Sequence, residues 1–259
     1  VDAHAVIPED FVSKNVRVLE TGEYICGGQR PNIIDKPTPF KETLLLAESS
    51  MFGSSIASYR NNPGKTYVKS LFHAAYRREV FEKVGFFNEE LVRTEDNEIH
   101  YRMRKAGYKL CFDPDIISYQ YTRSSLKAML KQKYANGYWI GKTSKVCPKC
   151  LSIYHFVPFA FVSAIIASGS VIGATGLAEC IKKRHNHTLG KGISALRKVT
   201  VVLTTVMWVL YALMASGMAA VSAFKAEDKR NITNACLPVL FLLLHLSYGI
   251  GTIAGLMDK

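Results

Sequence analysis

The chain has 259 residues, a formal net charge of +12, 48% hydrophobic residues, six Cys and nine Pro. That composition is too apolar, and too poor in Pro and Gly, for a disordered or collagen-like protein. Residues 1–150 carry 23 Lys+Arg and 17 Asp+Glu, whereas residues 151–259 carry 10 and 4 on a largely uncharged background, which excludes a single soluble domain.

In chain order, Pro8 opens a short predicted helix with Phe11, Val12 and Val16 on its apolar face, ending near Leu19. Residues 24–28 read as a strand into a Gly-Gly turn, 31–39 as a proline-rich loop and 41–49 as a helix. A strand at 67–72 precedes a helix at 77–84 that Gly85 stops. The clearest helix is 95–106, with Ile99, Met103 and Ala106 on one face and Gly107 at its C-terminus. Strands at 108–112 and 116–121 flank Asp113-Pro114. These alternating elements predict an α/β layer over residues 1–122. The chain has no initiator Met and no first nucleotide-binding βαβ unit, which takes roughly 30 or more residues, so it reads as N-terminally truncated.

Residues 123–150 hold Arg123, Lys127, Lys131, Lys133, Lys142, Lys145 and Lys149 but no acid, with Leu126, Met129, Leu130, Tyr134 and Trp139 among them. This predicts a basic amphipathic helix in a membrane interface, its cations toward anionic headgroups. A solvated basic helix and a nucleic-acid patch are the rivals, and the apolar segment that follows directly argues for the interface over both. Three uncharged apolar segments then occupy residues 151–178, 199–224 and 231–257. Each exceeds the roughly 20 residues that a spanning helix needs. If the first one spans, the six cations of 182–198 lie outside, against the positive-inside rule. A re-entrant first segment, bending near Ser168-Gly169-Ser170 or Gly173, would return that loop inside, and the charge pattern leans this way.

Two clusters could carry chemistry. Thr94-Glu95-Asp96 precedes the clearest helix; it is either a cap with acids in the first turn, or a carboxylate at a loop–helix junction acting as general base. Asp2 and His4, two residues apart on an extended segment, project to one side and could share a divalent cation, Mg²⁺ or Mn²⁺. Cys147-Pro-Lys-Cys150 lacks the further ligands of a zinc site; with Cys26, Cys111, Cys180 and Cys236 scattered, unpaired thiols of a reduced compartment fit better.

Together these pieces resemble a family 2 glycosyltransferase of the GT-A fold, and more closely the membrane-bound exopolysaccharide (succinoglycan-type) glycosyltransferases. The carriers are Val1-Asp-Ala-His-Ala5, Cys26-Gly-Gly-Gln-Arg30, Phe52-Gly53 with Tyr59-Arg60, Ala75-Tyr-Arg-Arg-Glu-Val-Phe-Glu-Lys-Val-Gly85 and Phe87-Asn-Glu-Glu-Leu91. They continue in Glu95-Asp96 with Glu98, Tyr101-Arg102, Lys105-Ala-Gly-Tyr108, Asp113-Pro114 and His245-Leu-Ser-Tyr-Gly-Ile-Gly251. The resemblance implies a partial GT-A (Rossmann-like) domain in 1–122, the interfacial segment 123–150 and a helical membrane region in 151–259. It implies an inner-membrane, multi-pass enzyme with its catalytic domain in the cytoplasm. Such an enzyme moves a sugar from a nucleotide sugar to a lipid-linked (polyprenyl-diphosphate) or polysaccharide acceptor, with membrane lipids as further partners and no nucleic acid.

The resemblance makes Asp96 the general base, with Glu95 beside it. Asp2 and His4 would hold the divalent metal (Mg or Mn), His4 standing where the family has a second Asp. Gln132 and Trp139 fall where related synthases carry a Gln-x-x-Arg-Trp element that caps the active site. Ala135 replaces its Arg, leaving Lys131 or Lys133 as a point charge for the diphosphate; Arg77 is a further candidate for diphosphate or acceptor contact. The alternatives are a processive polysaccharide synthase, which usually needs more spans than three, and a non-catalytic membrane scaffold.

Overall fold

The computed structural model describes residues 5–53, 64–184, 190–226 and 231–258. The first half contains seven strands and four helices in the order β1 (Ala5–Val6), α1 (Phe11–Glu20), β2 (Ile25–Gln29), β3 (Asn32–Ile33), α2 (Pro39–Ser49), β4 (Thr66–Val68), β5 (Ala75–Tyr76), α3 (Arg78–Val84), α4 (Glu95–Lys105), β6 (Leu110–Ile117) and β7 (Tyr119–Tyr121). The four-stranded sheet has the order β4-β6-β2-β5, with β2 and β6 parallel and both outer strands antiparallel. A small second sheet, β1-β7-β3, continues from its end.

Strand alternation divides the packing. Ile25, Leu110 and Phe112 face α3 and α4, where they meet Val80, Ile99 and Met103; Cys26 and Cys111 face α1 with Phe11 and Val18. The buried face of α1 is Phe11, Asn15 and Val18, whereas the expected apolar residues Val12 and Val16 are exposed. Asn15 earns its inward place through hydrogen bonds: its Nδ2 donates to the Phe11 carbonyl and its Oδ1 accepts from the Cys26 thiol. The Gly-Gly pair lies within β2 instead of turning, because a side chain at Gly28 would collide with the carbonyls of Asp113 and Ile116. Those carbonyls belong to a bulge where β6 passes Asp113-Pro114 without ending, a usual position for Pro in a strand.

The second half is helical: α5 (Leu126–Val146), α6 (Val157–Arg184), α7 (Lys191–Lys225) and α8 (Leu237–Met257). Segments Ile153–Lys182, Lys191–Lys225 and Ile232–Met257 are each long and apolar enough to cross a membrane. The bend expected in the first of them is absent, since α6 is one continuous helix through Ser168, Gly169, Ser170 and Gly173. It pairs with α7 as a helical hairpin, through Phe161 with Trp208 and Tyr211 and, farther along, Glu179 with Arg197. A second core joins the two halves: Leu44 and Ala47 of α2 meet Met129 of α5, Ala215 and Ala219 of α7, and Leu237, Leu240, Phe241 and Leu244 of α8.

Candidate active site

The Glu95-Asp96 pair begins α4, and the residue before it explains how the pair is held. Thr94 has φ +68°, a left-handed conformation costing a β-branched residue about 1–2 kcal/mol. Its side chain does not cap the helix; the Thr94 hydroxyl bonds the Arg93 carbonyl and the Thr143 hydroxyl, the latter at 2.5 Å. Arg93 in turn donates to Asn136 Oδ1 at 2.9 Å. The loop entering α4 is thus fastened to α5 at two points about two turns apart, which supports the strained turn that leads into Glu95 and Asp96. The acids of the first turn, Glu95, Asp96 and Glu98, lie at the positive end of the helix dipole.

Beneath Asp96, one turn along α4, lies His100, fully buried. Its Nε2 is 2.8 Å from the Tyr76 hydroxyl and its Nδ1 is 3.2 Å from the Ser70 hydroxyl. Desolvation, and secondarily Arg104, push the imidazole pKa down to about 3, so His100 is neutral. Burial, and secondarily the charge of Asp96, raise the Tyr76 phenol well above its ordinary value. Asp96 therefore sits over a polar column of Tyr76, His100 and Ser70 running into the domain. Sequence inspection did not single out this column, although His100 four residues after Asp96 is a same-face spacing. Glu98 has a separate job: it binds Arg102 at 2.7 Å, and Arg102 donates to the carbonyls of Val84 and Phe86, so this pair holds the loop after α3.

The remaining sequence candidates divide. Gln132 and Trp139 share the α5 row that includes Asn136 and Thr143, the two residues bonded to Arg93 and Thr94. Gln132 Oε1 is buried with no hydrogen-bond partner among the described residues. Lys133 is turned another way, buried at 4% exposure and paired with Glu48 of α2 at 3.7 Å. Arg77 lies on the α1 side of β5, opposite Tyr76; its guanidinium donates to the carbonyls of Leu19 and Glu23. Asp2, His4, Tyr59 and Arg60 lie outside the described residues. Among the described residues, no three His, Cys, Asp or Glu side chains come together as a metal-binding group.

The profile of glycosyl transferase family group 2 matches residues 1–252. The chain belongs to this family. The family match, which runs on through the apolar helices, together with the mixed sheets makes the fold a partial GT-A domain followed by a helical membrane region. The chain is similar to the succinoglycan biosynthesis protein ExoA of Rhizobium meliloti (strain 1021), 26% identical over 140 residues, or 53% of this chain and 41% of that protein. A second relative is the dolichyl N-acetyl-alpha-D-glucosaminyl phosphate 3-beta-D-2,3-diacetamido-2,3-dideoxy-beta-D-glucuronosyltransferase of Methanococcus voltae, 24% identical over 64% of this chain and 52% of the relative. The O-antigen chain rhamnosyltransferase WbaN of Salmonella anatum is 32% identical over 39% of this chain and 30% of its own length. The chain therefore spans from 30% to 52% of the length of these curated relatives.

Proposed function

We propose that the whole protein transfers a sugar from a nucleotide-sugar donor to a lipid-linked (polyprenyl-diphosphate) or polysaccharide acceptor at the cytoplasmic face of the inner membrane. The observation that carries this is the setting of Asp96: a carboxylate at a helix N-terminus, behind a left-handed Thr94, with the Gln132 row of α5 alongside. Asp96 takes the proton of the acceptor hydroxyl as its oxygen attacks the anomeric carbon; the carbon–oxygen bond to the nucleoside diphosphate breaks on the opposite face, and configuration inverts. Asp96 stands at the positive end of α4, and placement of the acceptor supplies part of the rate. Gln132, with its buried amide oxygen, and Trp139 contribute to the acceptor or diphosphate side. A divalent cation held by Asp2 and His4 would offset charge on the departing diphosphate. The bonds of Arg77 to the Leu19 and Glu23 carbonyls and the buried ion pair of Lys133 favour structural duties for those two cations.

The kinship in kind supports this function. The named relatives are a succinoglycan biosynthesis protein, a dolichyl-phosphate glycan transferase and an O-antigen rhamnosyltransferase. The test is transfer by the full-length protein in membranes, using a panel of nucleotide sugars with Mg²⁺ or Mn²⁺ and a polyprenyl-diphosphate-linked acceptor. One donor should be used, and its product should have the anomeric configuration opposite to the donor. Membrane insertion without transfer from any donor would favour the scaffold alternative.

A further inference from the structure

Among the described residues three helices are long and apolar enough to cross a membrane, yet the third is tied to α2 at its start and to α5 at its finish. At its start, Thr43 of α2 bonds the Thr233 hydroxyl at 2.6 Å and donates to Asn234 Oδ1 at 2.8 Å, while Asn231 donates to the Pro39 carbonyl. At its finish, Asp258 bonds the Tyr138 hydroxyl, Lys142 at 3.0 Å and, through its carbonyl, Lys145 at 2.5 Å. Those partners lie on α5, which is itself fixed to the domain along its length. Met129 packs with α2, Lys133 pairs with Glu48, Asn136 holds Arg93, Thr143 holds Thr94, and the 3-10 turn Pro148–Cys150 meets α4.

Helices α5 and α8 run parallel and in close register. Ser247 donates to the Leu130 carbonyl, Gly251 lies on Tyr134, Gly255 on Tyr138, and Asp258 reaches Lys142. A helix of 21 residues is about 32 Å long, close to the thickness of the hydrocarbon core. Were α8 to cross, α5 would have to cross beside it, carrying the Thr143–Thr94 bond and the turn packed on α4 to the far side.

We propose that α8 does not cross the membrane but lies in its plane, on the leaflet that faces the catalytic domain. Its inner face, Leu237, Leu240, Phe241, Leu244, Gly251, Thr252 and Gly255, is buried. Its outer row, Val239, Leu243, Leu246, Ile250, Ile253 and Met257, falls at helical spacing, is exposed or half-exposed, and contains no polar residue. An in-plane helix usually presents one face to water; here the protein takes that place and the other face dissolves in acyl chains. Lipid is the occupant because the row is continuous with the α6–α7 hairpin, which packs on α8 and then leaves it. Only the last three turns of α7 are buried, at Ala215, Ala219 and Ser222. The helices α6 and α7, about 42 and 52 Å long, are each ample for a crossing. The chain then crosses twice, out through α6 and back through α7. Seven cations in 123–150 and three in 225–230 stay on the domain side, against six in 182–198 beyond the membrane. The overall Lys+Arg excess keeps the domain inside despite the basic hairpin tip.

This rests on the membrane reading above, and its test separates the two. Full-length protein is reconstituted with lipids brominated at defined acyl depths. The native Trp208 on α7, with Trp139→Phe, serves as the insertion reference; Val239→Trp, Leu246→Trp and Met257→Trp are studied singly with Trp139 and Trp208 both replaced by Phe. The in-plane arrangement gives the same depth of strongest quenching for all three α8 positions. Leu246→Trp quenched more deeply than both ends overturns it. Failure to quench Trp208 at any depth overturns the membrane reading itself. In sealed vesicles of a protein stripped of native Cys, Asp258→Cys should react with an impermeant maleimide from the same side as Lys105→Cys and opposite Gly190→Cys. Reaction of position 258 from the side of Gly190→Cys overturns the proposal.

Discussion

At the residue scale the site depends on one strained position and one buried imidazole. Thr94 is left-handed because its hydroxyl is shared between its own loop and Thr143, and this sets where Asp96 points. His100 is neutral because burial and Arg104 oppose its charge. Its folded pKa of about 3 lies below the ordinary value of about 6.5, so the folded state binds fewer protons than the unfolded one below pH 6.5. The stability associated with neutral His100 is complete above about pH 6.5 and falls by about 1.4 kcal/mol per pH unit as the pH drops toward 3. The free energy of unfolding in mild detergent, followed from pH 7.5 to 5, should therefore fall more steeply for wild type than for His100→Gln, which keeps hydrogen-bonding capacity without the titration. Parallel curves would count against a buried neutral histidine. Sequence reading singled out Asp96 and Glu95 but not the column beneath them. Tyr76, Ser70 and His100 are joined only by folding β5 onto α4, and no local spacing relates positions 70, 76 and 100.

At the element scale, hydrophobic period and Gly/Pro punctuation made most helices legible. Helices expected at 41–49, 77–84 and 95–106 correspond to α2, α3 and α4 within two residues at each end. The failures have physical causes. Two-residue strands such as β3 and β5 have too few residues to display a period. The α1 face was misjudged because Asn15, bonded to the Phe11 carbonyl and the Cys26 thiol, is buried while two valines are exposed. Helix α5 has the basic character expected of an interfacial segment, yet its glycines carry the more specific information. A Cβ on Gly137 or Gly141 would strike the α8 backbone, and one on Gly251 or Gly255 would strike that of α5. Each helix thus carries a Gly-x-x-x-Gly pair that lets the two backbones approach. Gly251→Leu should force α5 and α8 apart at a cost of about 1–3 kcal/mol, read as a lower midpoint of thermal unfolding in detergent. Gly169→Leu, at a position with nothing near its Cβ, is the control that should change little.

At the scale of the whole molecule, the catalytic layer and the apolar helices form one packed structure. The shared core of α2, α5, α7 and α8 contains the Glu48–Lys133 pair, and His245 of α8 bridges two other elements. Its Nε2 donates to the Phe52 carbonyl at 2.7 Å and its Nδ1 accepts from the Tyr211 hydroxyl at 2.9 Å. Such satisfied polar contacts in an apolar core fix one relative placement of domain and hairpin, and with it the placement of the α4 site relative to the apolar helices. Composition alone made the division into a mixed α/β part and an apolar part legible. The close packing of α8 on α5 was not, because hydropathy counts apolar residues without telling lipid from a glycine-lined helix partner.

The central claim is that Asp96 deprotonates the acceptor. The most direct measurement compares sugar transfer by wild-type and Asp96→Asn full-length protein in the same membranes, with donor and acceptor both varied. Loss of a general base lowers kcat by about 100-fold or more, and the donor KM and membrane insertion should be unchanged. A kcat for Asp96→Asn within about twofold of wild type, where a lost base requires a drop of about 100-fold, would contradict the assignment of Asp96 and the mechanism built on it.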